Sequence, residues 1–596
     1  MRDETGLAGL PRMARILPSW SVVATLLTFT ACGHQRSQPG SSDSSTVSTP
    51  VADSAQRRAM ADTTMWPSYG RDFTNQRWSP LNQINTSNVA QLKPAWINHS
   101  GIPHASETNP VVVDGVMYFT TALNHVIAVD ARTGVVKWEY AHQYRTTADC
   151  CATNNKGVAV YGGKVYMGTL DARLVALDAR SGRLIWDVQV GDNNAGYHLT
   201  GAPIAVDGKI ITGVSGGEQG CRCYVDAYDA NTGARIWRWY TIPSPAQGGW
   251  WGTWRTHDEW GMSFHRDIAA EKRDSAAFPD AWKHGGGPMW HHPAYDPETG
   301  LLFMNIGNPA PDQNGSIRPG DNLYTCSIVA VDAKTGKLRW YYQEVSHDVW
   351  DYDATTPPVL VDAPDSTGHM VKAVAEAGKD GFVYVLDRAT GKPIRKSQPF
   401  VPFVNYMRLP TKDGVLMQPG TLGGSDWSPT AYSPQTGFLY VDGNYIPMKY
   451  RVSQEPLRPP AQWCGGGVVT QPQGLYGLYS AVDLATGRIA WQDSTPAPLI
   501  SGSLATAGGL VFTGTADKHF VAFDAKTGKK LWSYEASGGV NAPPITYAIR
   551  GTQYIAVAAT GIQTLNSPRS DELLVFALPG QAADSTAGSA PGAGGS

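Results

Sequence analysis

One pattern of apolar and polar positions recurs along most of the chain. Each copy has an apolar residue, Asp, two variable residues, Thr or Ser, Gly, and then Trp four residues after the glycine. The strong copies are VDARTGVVKW (129–138), LDARSGRLIW (177–186), YDANTGARIW (228–237), VDAKTGKLRW (331–340), VDLATGRIAW (482–491) and FDAKTGKKLW (523–532). The related stretch LDRATGKPI (386–394) lacks the tryptophan, and YDPETGLLF and YSPQTGFLY, which begin at Tyr295 and Tyr432, are looser echoes.

Each part of this pattern has a physical role in a hairpin. The aspartate accepts hydrogen bonds from the amides that follow it, and the glycine adopts the left-handed conformation that closes the turn. The returning strand then brings the large flat tryptophan into the space between neighbouring sheets. The apolar runs PVVVDGVMYFTT (110–121) and GGKVYMGTL (162–170) are predicted to be inner strands.

The spacing of the copies predicts the architecture. Intervals of roughly 40–55 residues are typical of a four-stranded propeller blade. We therefore predict an all-β fold, an eight-bladed β-propeller with tryptophan-docking repeats, over residues 62–579. The stretch from Trp66 to Trp96 is expected to begin the domain, and the last blade is expected to combine strands from both ends of the propeller.

The two ends of the chain have a different composition. Residues 1–32 are predicted to be a signal peptide, because Met13-Ala14-Arg15 precedes an apolar run that is short for a membrane span. The run ends in Phe-Thr-Ala-Cys32, which resembles a bacterial lipoprotein cleavage site, although plain secretion is an open alternative. Residues 33–61 and 580–596 are predicted to be a disordered linker and a disordered tail. The expected location is the periplasm, with membrane contact only through a lipid on Cys32.

Charge and cysteine content limit the classes of function that the chain is expected to have. Lys and Arg number 48 against 51 Asp and Glu, so nothing indicates a nucleic-acid surface. Cys150 and Cys151 are adjacent, and a disulfide between neighbours would close a small ring that an exported, oxidising compartment permits. Such a ring could offer a stiff surface to a flat ligand; alternatively, the two cysteines are reduced or separately paired. The pairing of Cys221, Cys223, Cys326 and Cys464 is left open.

Several further motifs occur in a fixed order after Cys150–Cys151. They are VSGGE (214–218), GGGPMW (285–290), GNPAP (307–311) and WDYD (350–353). In combination they resemble the quinoprotein alcohol dehydrogenases, a family of eight-bladed propellers that hold pyrroloquinoline quinone (PQQ) and a metal ion on their axis. The resemblance extends from Trp66 to Pro579. It implies that PQQ lies between a disulfide of Cys150 and Cys151 on one face and Trp290 on the other.

The resemblance also implies which residues surround the rim of PQQ. They are Glu107, Lys156, Thr200, Ser215, Gly216, Gly217, Lys379 and Asn444, with Asp426 and Trp427 as further candidates. Lysine stands at positions 156 and 379, where arginine is usual in the methanol-oxidising members, and Ile500 stands where a tryptophan is usual. These departures leave the substrate open among alcohols, polyols and sugars.

The metal ligands implied by the resemblance are oxygen donors. Glu218, Asn308 and Asp351 form the expected set, and hard ligands of this kind suit calcium. Asp353 follows Asp351 by two residues, which on a strand would place both carboxylates on one side. An added aspartate here resembles the lanthanide-dependent branch of the family, so calcium and a lanthanide ion are both open. Asp351 is expected to act as general base, and Lys379 to polarise the quinone together with the metal.

The function that follows is a PQQ- and metal-dependent dehydrogenase that oxidises a hydroxyl group by hydride transfer. The sequence contains no CxxCH haem-attachment motif, so we expect electrons to pass to a separate acceptor such as a c-type cytochrome. One alternative is a non-catalytic β-propeller lipoprotein that acts as an outer-membrane assembly scaffold. Another is a degenerate quinoprotein that has lost its cofactor.

Overall fold

The computed structural model describes residues 51–144, 153–471, 473–562 and 565–580. Within them, nine sheets occur: eight have four antiparallel strands in the order of a propeller blade, one of these with a fifth, parallel strand, and the ninth is a small three-stranded sheet. The predicted eight-bladed β-propeller is thereby confirmed. Cys150 and Cys151, the predicted signal peptide with Cys32, and the tail beyond residue 580 lie outside the described residues.

The first five blades use strands in simple chain order, after two strands that belong to later blades. Those two are β1 (Trp78–Ser79) and β2 (Lys93–His99). Blade 1 consists of β3 (Val111–Val113), β4 (Val116–Thr120), β5 (His125–Asp130) and β6 (Val136–Ala141). Blade 2 consists of β7 (Ala159–Tyr161), β8 (Lys164–Gly168), β9 (Arg173–Asp178) and β10 (Leu184–Gln189). Blade 3 consists of β11 (Ile204–Val206), β12 (Lys209–Gly213), β13 (Tyr224–Asp229) and β14 (Arg235–Tyr240). Blade 4 consists of β15 (Ala294–Asp296), β16 (Leu301–Ile306), β17 (Ser327–Asp332) and β18 (Leu338–Gln343). Blade 5 consists of β19 (Val359–Pro364), β20 (Met370–Ala377), β21 (Val383–Asp387) and β22 (Pro393–Lys396).

The remaining blades include one insertion and the closure of the ring. Blade 6 is β24 (Ala431–Ser433), β25 (Phe438–Tyr445), β28 (Tyr476–Asp483), β29 (Ile489–Thr495), and a separate small sheet is formed by β23 (Val415–Met417), β26 (Met448–Val452), β27 (Gly466–Thr470). Blade 7 is β30 (Leu504–Thr506), β31 (Leu510–Gly514), β32 (His519–Asp524), β33 (Lys530–Glu535), with β1 added parallel to β30. Blade 8 takes β34 (Ile545–Ile549), β35 (Thr552–Ala559) and β36 (Glu572–Ala577) from the end of the propeller.

The ring closes in blade 8, where β2 pairs antiparallel with β36. A strand from the start of the propeller thus completes a sheet whose other three strands come from its end, as predicted. Buried residues from both ends form one continuous apolar cluster, which includes Trp66, Ile127, Ile555 and Phe576. Because the first and last parts of the propeller share a core, neither end can detach without exposing apolar surface.

Tryptophans hold each blade against the next. Asp178 accepts hydrogen bonds from the amides of Arg180 and Ser181 in the turn between β9 and β10. Trp138 of the preceding blade lies over this turn and donates its indole N–H to the carbonyl of Ala179 at 3.0 Å. A tryptophan ring covers the turn glycine of the following blade in six places: Trp96–Gly134, Trp138–Gly182, Trp186–Gly233, Trp237–Gly336, Trp340–Gly391 and Trp491–Gly528. The predicted role of the repeat is confirmed.

The incomplete copy of the repeat has a substitute for its missing tryptophan. Arg395 occupies the position four residues after Gly391. Its aliphatic stem lies against Gly487 of the next turn, and its guanidinium donates to the carbonyl of Leu484 at 2.9 Å. An arginine can fill this place because its methylene groups pack like an apolar side chain while its head group forms the hydrogen bond.

The two looser echoes belong to a different hairpin. The turns that end at Gly300 and Gly437 join the first and second strands of blades 4 and 6, β15 to β16 and β24 to β25. Nothing lies within 4 Å of where a β-carbon on either glycine would stand. These turns therefore share the backbone geometry of the repeat without its docking contact.

Two helices lie outside the blades. α1 (Val51–Ala61) falls within the predicted linker, and Gln56 in it donates to the carbonyl of Ala205 at 2.8 Å. The prediction of disorder up to residue 61 is therefore wrong for this segment, because its alanine, arginine and glutamine residues favour a helix. α2 (Ile268–Asp274) lies in the long connection between blades 3 and 4. In the part of the chain that the structure describes, no helix has the length and apolarity to cross a membrane.

The docking contact can be tested by comparing two glycines with similar backbones. Gly391 has φ +69° and a β-carbon on it would lie 2.4 Å from the Trp340 ring, whereas Gly437 has φ +74° and open space. Both Gly391→Ala and Gly437→Ala should lose about 1 kcal/mol through left-handed strain. Gly391→Ala should lose about 1–3 kcal/mol more by overpacking. Urea unfolding followed by circular dichroism measures the difference, and equal losses would contradict the docking role.

Candidate active site

A cavity of about 850 Å³ lies where loops from several blades meet. Its walls include twelve of the residues singled out in the sequence: Glu107, Lys156, Thr200, Ser215, Gly216, Glu218, Trp290, Asp351, Asp353, Lys379, Asp426 and Trp427. These residues are spread over more than 300 positions of the chain, and the ring of blades brings them together. The cavity is large enough for a cofactor-sized molecule.

One part of the wall combines an aromatic ring with polar side chains. Lys156 lies 5.1 Å from the centre of the Trp290 ring and forms a buried ion pair with Glu107. Thr200 and Ser215 share a hydrogen bond of 2.7 Å between their hydroxyl oxygens. A flat anionic ligand would find here a ring to lie against, an ammonium group and two hydroxyl groups.

The next part of the wall depends on a glycine. Gly216 has φ +114°, and a β-carbon on it would lie 1.9 Å from the carbonyl oxygen of Gly196. The backbone can therefore turn here only because the residue is glycine. This turn leads into Glu218, whose carboxylate lies on the cavity wall.

Beyond this turn lies a group of oxygen atoms suited to a cation. Glu218, Asp312 and Asp351 each offer a carboxylate oxygen, and these atoms lie within 4.8 Å of one another. Asn308 Oδ1 and Asp353 Oδ1 are buried and have no hydrogen-bond partner in the protein. Buried acceptors without a donor are costly, so a bound cation would satisfy atoms that the protein itself leaves unpaired.

The local backbone holds Asp351 in its place. Asp348 accepts hydrogen bonds from the amides of Trp350, Asp351 and Tyr352, which bends the chain into a tight loop. Asp351 has φ +62°, a conformation that a non-glycine residue seldom adopts. Asp353 is not on a strand, contrary to the reasoning from strand geometry. It still reaches the site, where its Oδ2 accepts from the Trp290 indole at 3.2 Å.

Lys379 faces three carboxylates at once. Its Nζ lies 3.2 Å from Asp351 Oδ1, 3.8 Å from Asp353 Oδ2 and 3.6 Å from Asp426 Oδ1. Burial by itself lowers the pKa of Lys379, but these carboxylates outweigh it and hold the pKa well above its usual value. The ammonium group is therefore charged at neutral pH and fixed beside Asp351.

The carboxylates themselves repel one another. Burial raises the pKa of Glu218, and the charge of Asp353 raises it further. Burial also raises the pKa of Asp312 and of Asp351 well above the usual range, although Lys379 opposes the shift at Asp351. Since like charges are brought together away from water, the site favours a bound cation.

A segment that the sequence analysis did not identify covers this part of the cavity. It is the hairpin of β26 and β27, from which Gln462, Cys464, Gly466, Gly467 and Val468 reach the cavity wall. The amide of Trp463 donates to the carbonyl of Glu218, and the amide of Gln313 donates to the carbonyl of Cys464. The hairpin contains no motif of the family resemblance, which explains why it was missed.

The structure places three of the predicted residues behind the cavity wall. Asn308 is fully buried, and Gly217 packs against it. Asn444 does not reach the cavity, because its side-chain amide bonds to the backbone N–H and carbonyl of Leu499, each at 2.8 Å. The structure thus gives Asn444 a role in joining blades 6 and 7, and its contact with the cofactor stays a prediction.

The cysteines in the described residues resolve one open pairing. Cys221 and Cys223 form a disulfide with each other. Cys326 and Cys464 are free thiols.

Comparison with known proteins agrees with this geometry. Residues 66–398 and 465–555 match the family described as "PQQ: Glucose/ethanol/alcohol dehydrogenase, beta-propeller domain". Quinoprotein alcohol dehydrogenase PedH of Pseudomonas putida is 36% identical over 516 residues, which cover 82% of this chain and 85% of the relative.

Solved structures give the same result. The crystal structure of quinohemoprotein alcohol dehydrogenase from Comamonas testosteroni superposes with a TM-score of 0.78 at 33% identity, over 90% of this chain and 83% of the other. A europium-containing methanol dehydrogenase superposes with a TM-score of 0.79 at 33% identity, over 88% of this chain and all of the other.

The ion pair between Lys156 and Glu107 can be tested without any ligand. Both side chains are 4% exposed, so Lys156→Met should leave a buried carboxylate without a counter-charge and destabilise the fold by about 3–5 kcal/mol. The hydrogen bond from Asn154 Nδ2 to Glu107 at 2.7 Å remains in this variant. Adding Glu107→Gln should recover much of this loss. Denaturant unfolding of both variants measures the effect.

A matched control is the exposed pair of Lys372 and Glu298. Lys372→Met should cost about 0–1 kcal/mol, because exposed ion pairs contribute little. A similar loss from both lysine variants would contradict the role of burial at Lys156.

Proposed function

The chain belongs to the PQQ-dependent glucose, ethanol and alcohol dehydrogenase family, and from this membership we propose a specific role for each part of its cavity. It is an oxidoreductase that acts on CH–OH groups, and the non-catalytic scaffold is not supported. The proposal rests mainly on the cluster of carboxylate and amide oxygen atoms beside Trp290 and Lys379, two of which have no hydrogen-bond partner in the protein. We propose that this group holds a metal ion against PQQ and that Asp351 activates an alcohol there.

The residues present fit PQQ. Trp290 offers a flat surface, and Lys156, Thr200 and Ser215 supply the cation and hydrogen-bond donors that its three carboxylates need. When bound, PQQ supplies the electron-accepting carbonyl to which a hydride from the alcohol carbon is transferred. The predicted contact with Cys150 and Cys151 remains a proposal, since both lie outside the described residues.

The proton of the alcohol goes to Asp351 in this proposal. Its carboxylate lies on the cavity wall, and the ammonium of Lys379 at 3.2 Å stabilises the ionised form that accepts a proton. The loop capped by Asp348 fixes the backbone that carries this carboxylate. Orientation of base and substrate lowers the barrier because little freedom is lost on reaching the transition state.

The metal ion would be held by Glu218, Asn308, Asp351 and Asp353. All four donate hard oxygen atoms, as calcium and the lanthanide ions prefer. Such an ion would act as a Lewis acid on the reacting carbonyl. The third carboxylate, Asp353, favours a trivalent ion over calcium, and one of the similar structures is described as containing europium.

Substrate, electron acceptor and location complete the proposal. The proposed substrate is an alcohol. Several relatives are quinohemoproteins by name, which supports a cytochrome as the acceptor of the electrons. We propose that this is a separate c-type cytochrome and that the chain works in the periplasm, held by a lipid on Cys32 or secreted.

The assigned base can be tested by Asp351→Asn in the reconstituted protein. With PQQ and either Ca²⁺ or La³⁺, dye-linked oxidation of ethanol should fall by roughly 10²–10⁴-fold, because no group accepts the proton. Bound PQQ and metal are measured by absorbance and elemental analysis. Asp413→Asn, an exposed position, serves as the control.

Normal turnover by Asp351→Asn with PQQ and metal bound would show that another group is the base. Absence of PQQ binding by the unchanged chain with either ion would refute the proposed function as a whole.

Asp353→Asn tests the preference of the proposed site for a trivalent over a divalent ion. Activity supported by La³⁺ should fall by about tenfold or more, which corresponds to ~1.4 kcal/mol, while activity supported by Ca²⁺ should change less. The reason is that the loss of one carboxylate costs more with a trivalent ion than with a divalent one. Equal losses with both ions would contradict the preference assigned to Asp353.

A further inference from the structure

Asp312 is not one of the expected metal ligands, but it lies among the carboxylates of the proposed metal site. Asp312 follows GNPAP, lines the cavity, and is 4% exposed. One of its oxygens lies within 4.8 Å of carboxylate oxygens of both Glu218 and Asp351. Its position is fixed, because Arg318 donates to its carbonyl oxygen at 2.9 Å.

Asp312 also determines the orientation of a neighbouring ligand. Its Oδ1 accepts a hydrogen bond of 2.6 Å from Asn308 Nδ2. With the nitrogen held by Asp312, the other atom of the amide, Oδ1, is left buried without a partner. This oxygen is therefore the atom that Asn308 presents to an ion, and Asp353 Oδ1 is a second unpartnered buried acceptor at the site.

The negatively charged carboxylates at the site outnumber the positive charge that Lys379 supplies. Glu218, Asp312, Asp351 and Asp353 are four carboxylates, and Lys379 contacts two of them. The ammonium of Lys379 is shared with Asp426, so it neutralises at most one of the four. At least three negative charges then remain when all four are ionised, and attraction to a cation grows in proportion to the charge of the ion.

We propose that Asp312 is a direct ligand of the metal ion and that it makes the site selective for a trivalent lanthanide over Ca²⁺. This inference rests on the metal site of the proposed function. Asp312 completes a set of four carboxylates and one amide oxygen. It both binds the ion and holds Asn308 in the orientation that binds it.

Terbium luminescence tests the inference without measuring turnover. The full chain is stripped of metal, given one equivalent of PQQ, and titrated with Tb³⁺ while a tryptophan is excited; Trp290 is hydrogen-bonded to Asp353 and lies close to the site. Asp312→Asn keeps an acceptor for Asn308 but removes the charge. It should weaken Tb³⁺ binding by at least about tenfold, and Ca²⁺ binding, measured by competition, by less.

The decay rates of luminescence in H₂O and D₂O separate ligation from positioning. If Asp312 binds the ion, Asp312→Asn should admit an additional water molecule to the terbium. Asp312→Ala should weaken binding further, since Asn308 then loses its partner as well. Asp413→Asn, exposed and distant from the group in sequence, should bind Tb³⁺ like the unchanged chain.

Unchanged affinity and hydration in Asp312→Asn would overturn the inference, and so would a loss confined to Asp312→Ala, which would leave Asp312 as a positioning residue only. Binding of Tb³⁺ no tighter than Ca²⁺ by the unchanged chain would also overturn it. These results leave the proposed oxidation of an alcohol intact. That activity fails separately, if the chain does not bind PQQ or does not oxidise an alcohol with PQQ and metal bound.

Discussion

The structure depends on the contact between each docking tryptophan and the turn glycine of the next blade. Trp138 over Gly182 shows its two components, a large apolar ring on a surface without a side chain and an indole N–H bonded to a turn carbonyl. The contact repeats around the ring, and Trp96 on β2 extends it from the last blade to the first. Since each blade is held by its neighbours, the loops on one side of the ring are fixed relative to one another.

That rigidity allows the site to contain charges that would otherwise separate. Glu218 and Asp312 lie in loops within blades 3 and 4, and Asp351 lies in the connection from blade 4 to blade 5. Burial with mutual repulsion raises the pKa of each. Buried polar groups without partners, such as Asn308 Oδ1, add to this cost. A closed ring can bear such a cost at one place because the cores between its blades are apolar and well packed. The atoms that are costly to bury without a counter-charge or a donor are those that would gain most from a bound cation.

The fold was predictable because its determinants are local and repeated. Asp, Gly and Trp stand at fixed offsets, so the hairpin and its docking residue can be read within ten residues. Arg395 could not be foreseen in this role, since only the neighbouring turn shows that its stem replaces a tryptophan. The looser echoes at Tyr295 and Tyr432 were misleading in one respect: they lie in blades that already contain a strong copy.

Site residues that lie in short sequence motifs could be predicted, whereas those in irregular loops could not. Asp312 lies four residues after Asn308 in a proline-rich loop that has no periodicity, so only the folded chain shows that the two side chains meet. An acidic residue close to a predicted ligand was the available signal. Asn444 is a further example, since its position in a short motif did not reveal that both ends of its side-chain amide bond to the backbone of Leu499.

The lysine at position 379 supports a working site more than a degenerate one. Arginine would present a flat fork suited to one carboxylate, whereas the compact ammonium of Lys379 faces three carboxylates at 3.2 to 3.8 Å. A point charge is therefore the better match to carboxylates that converge from three directions. If the chain had lost its cofactor, nothing would maintain this convergence, because replacing the group by apolar residues would relieve its repulsion. The departure from the family pattern at this position is thus accounted for by the crowding of carboxylates around it.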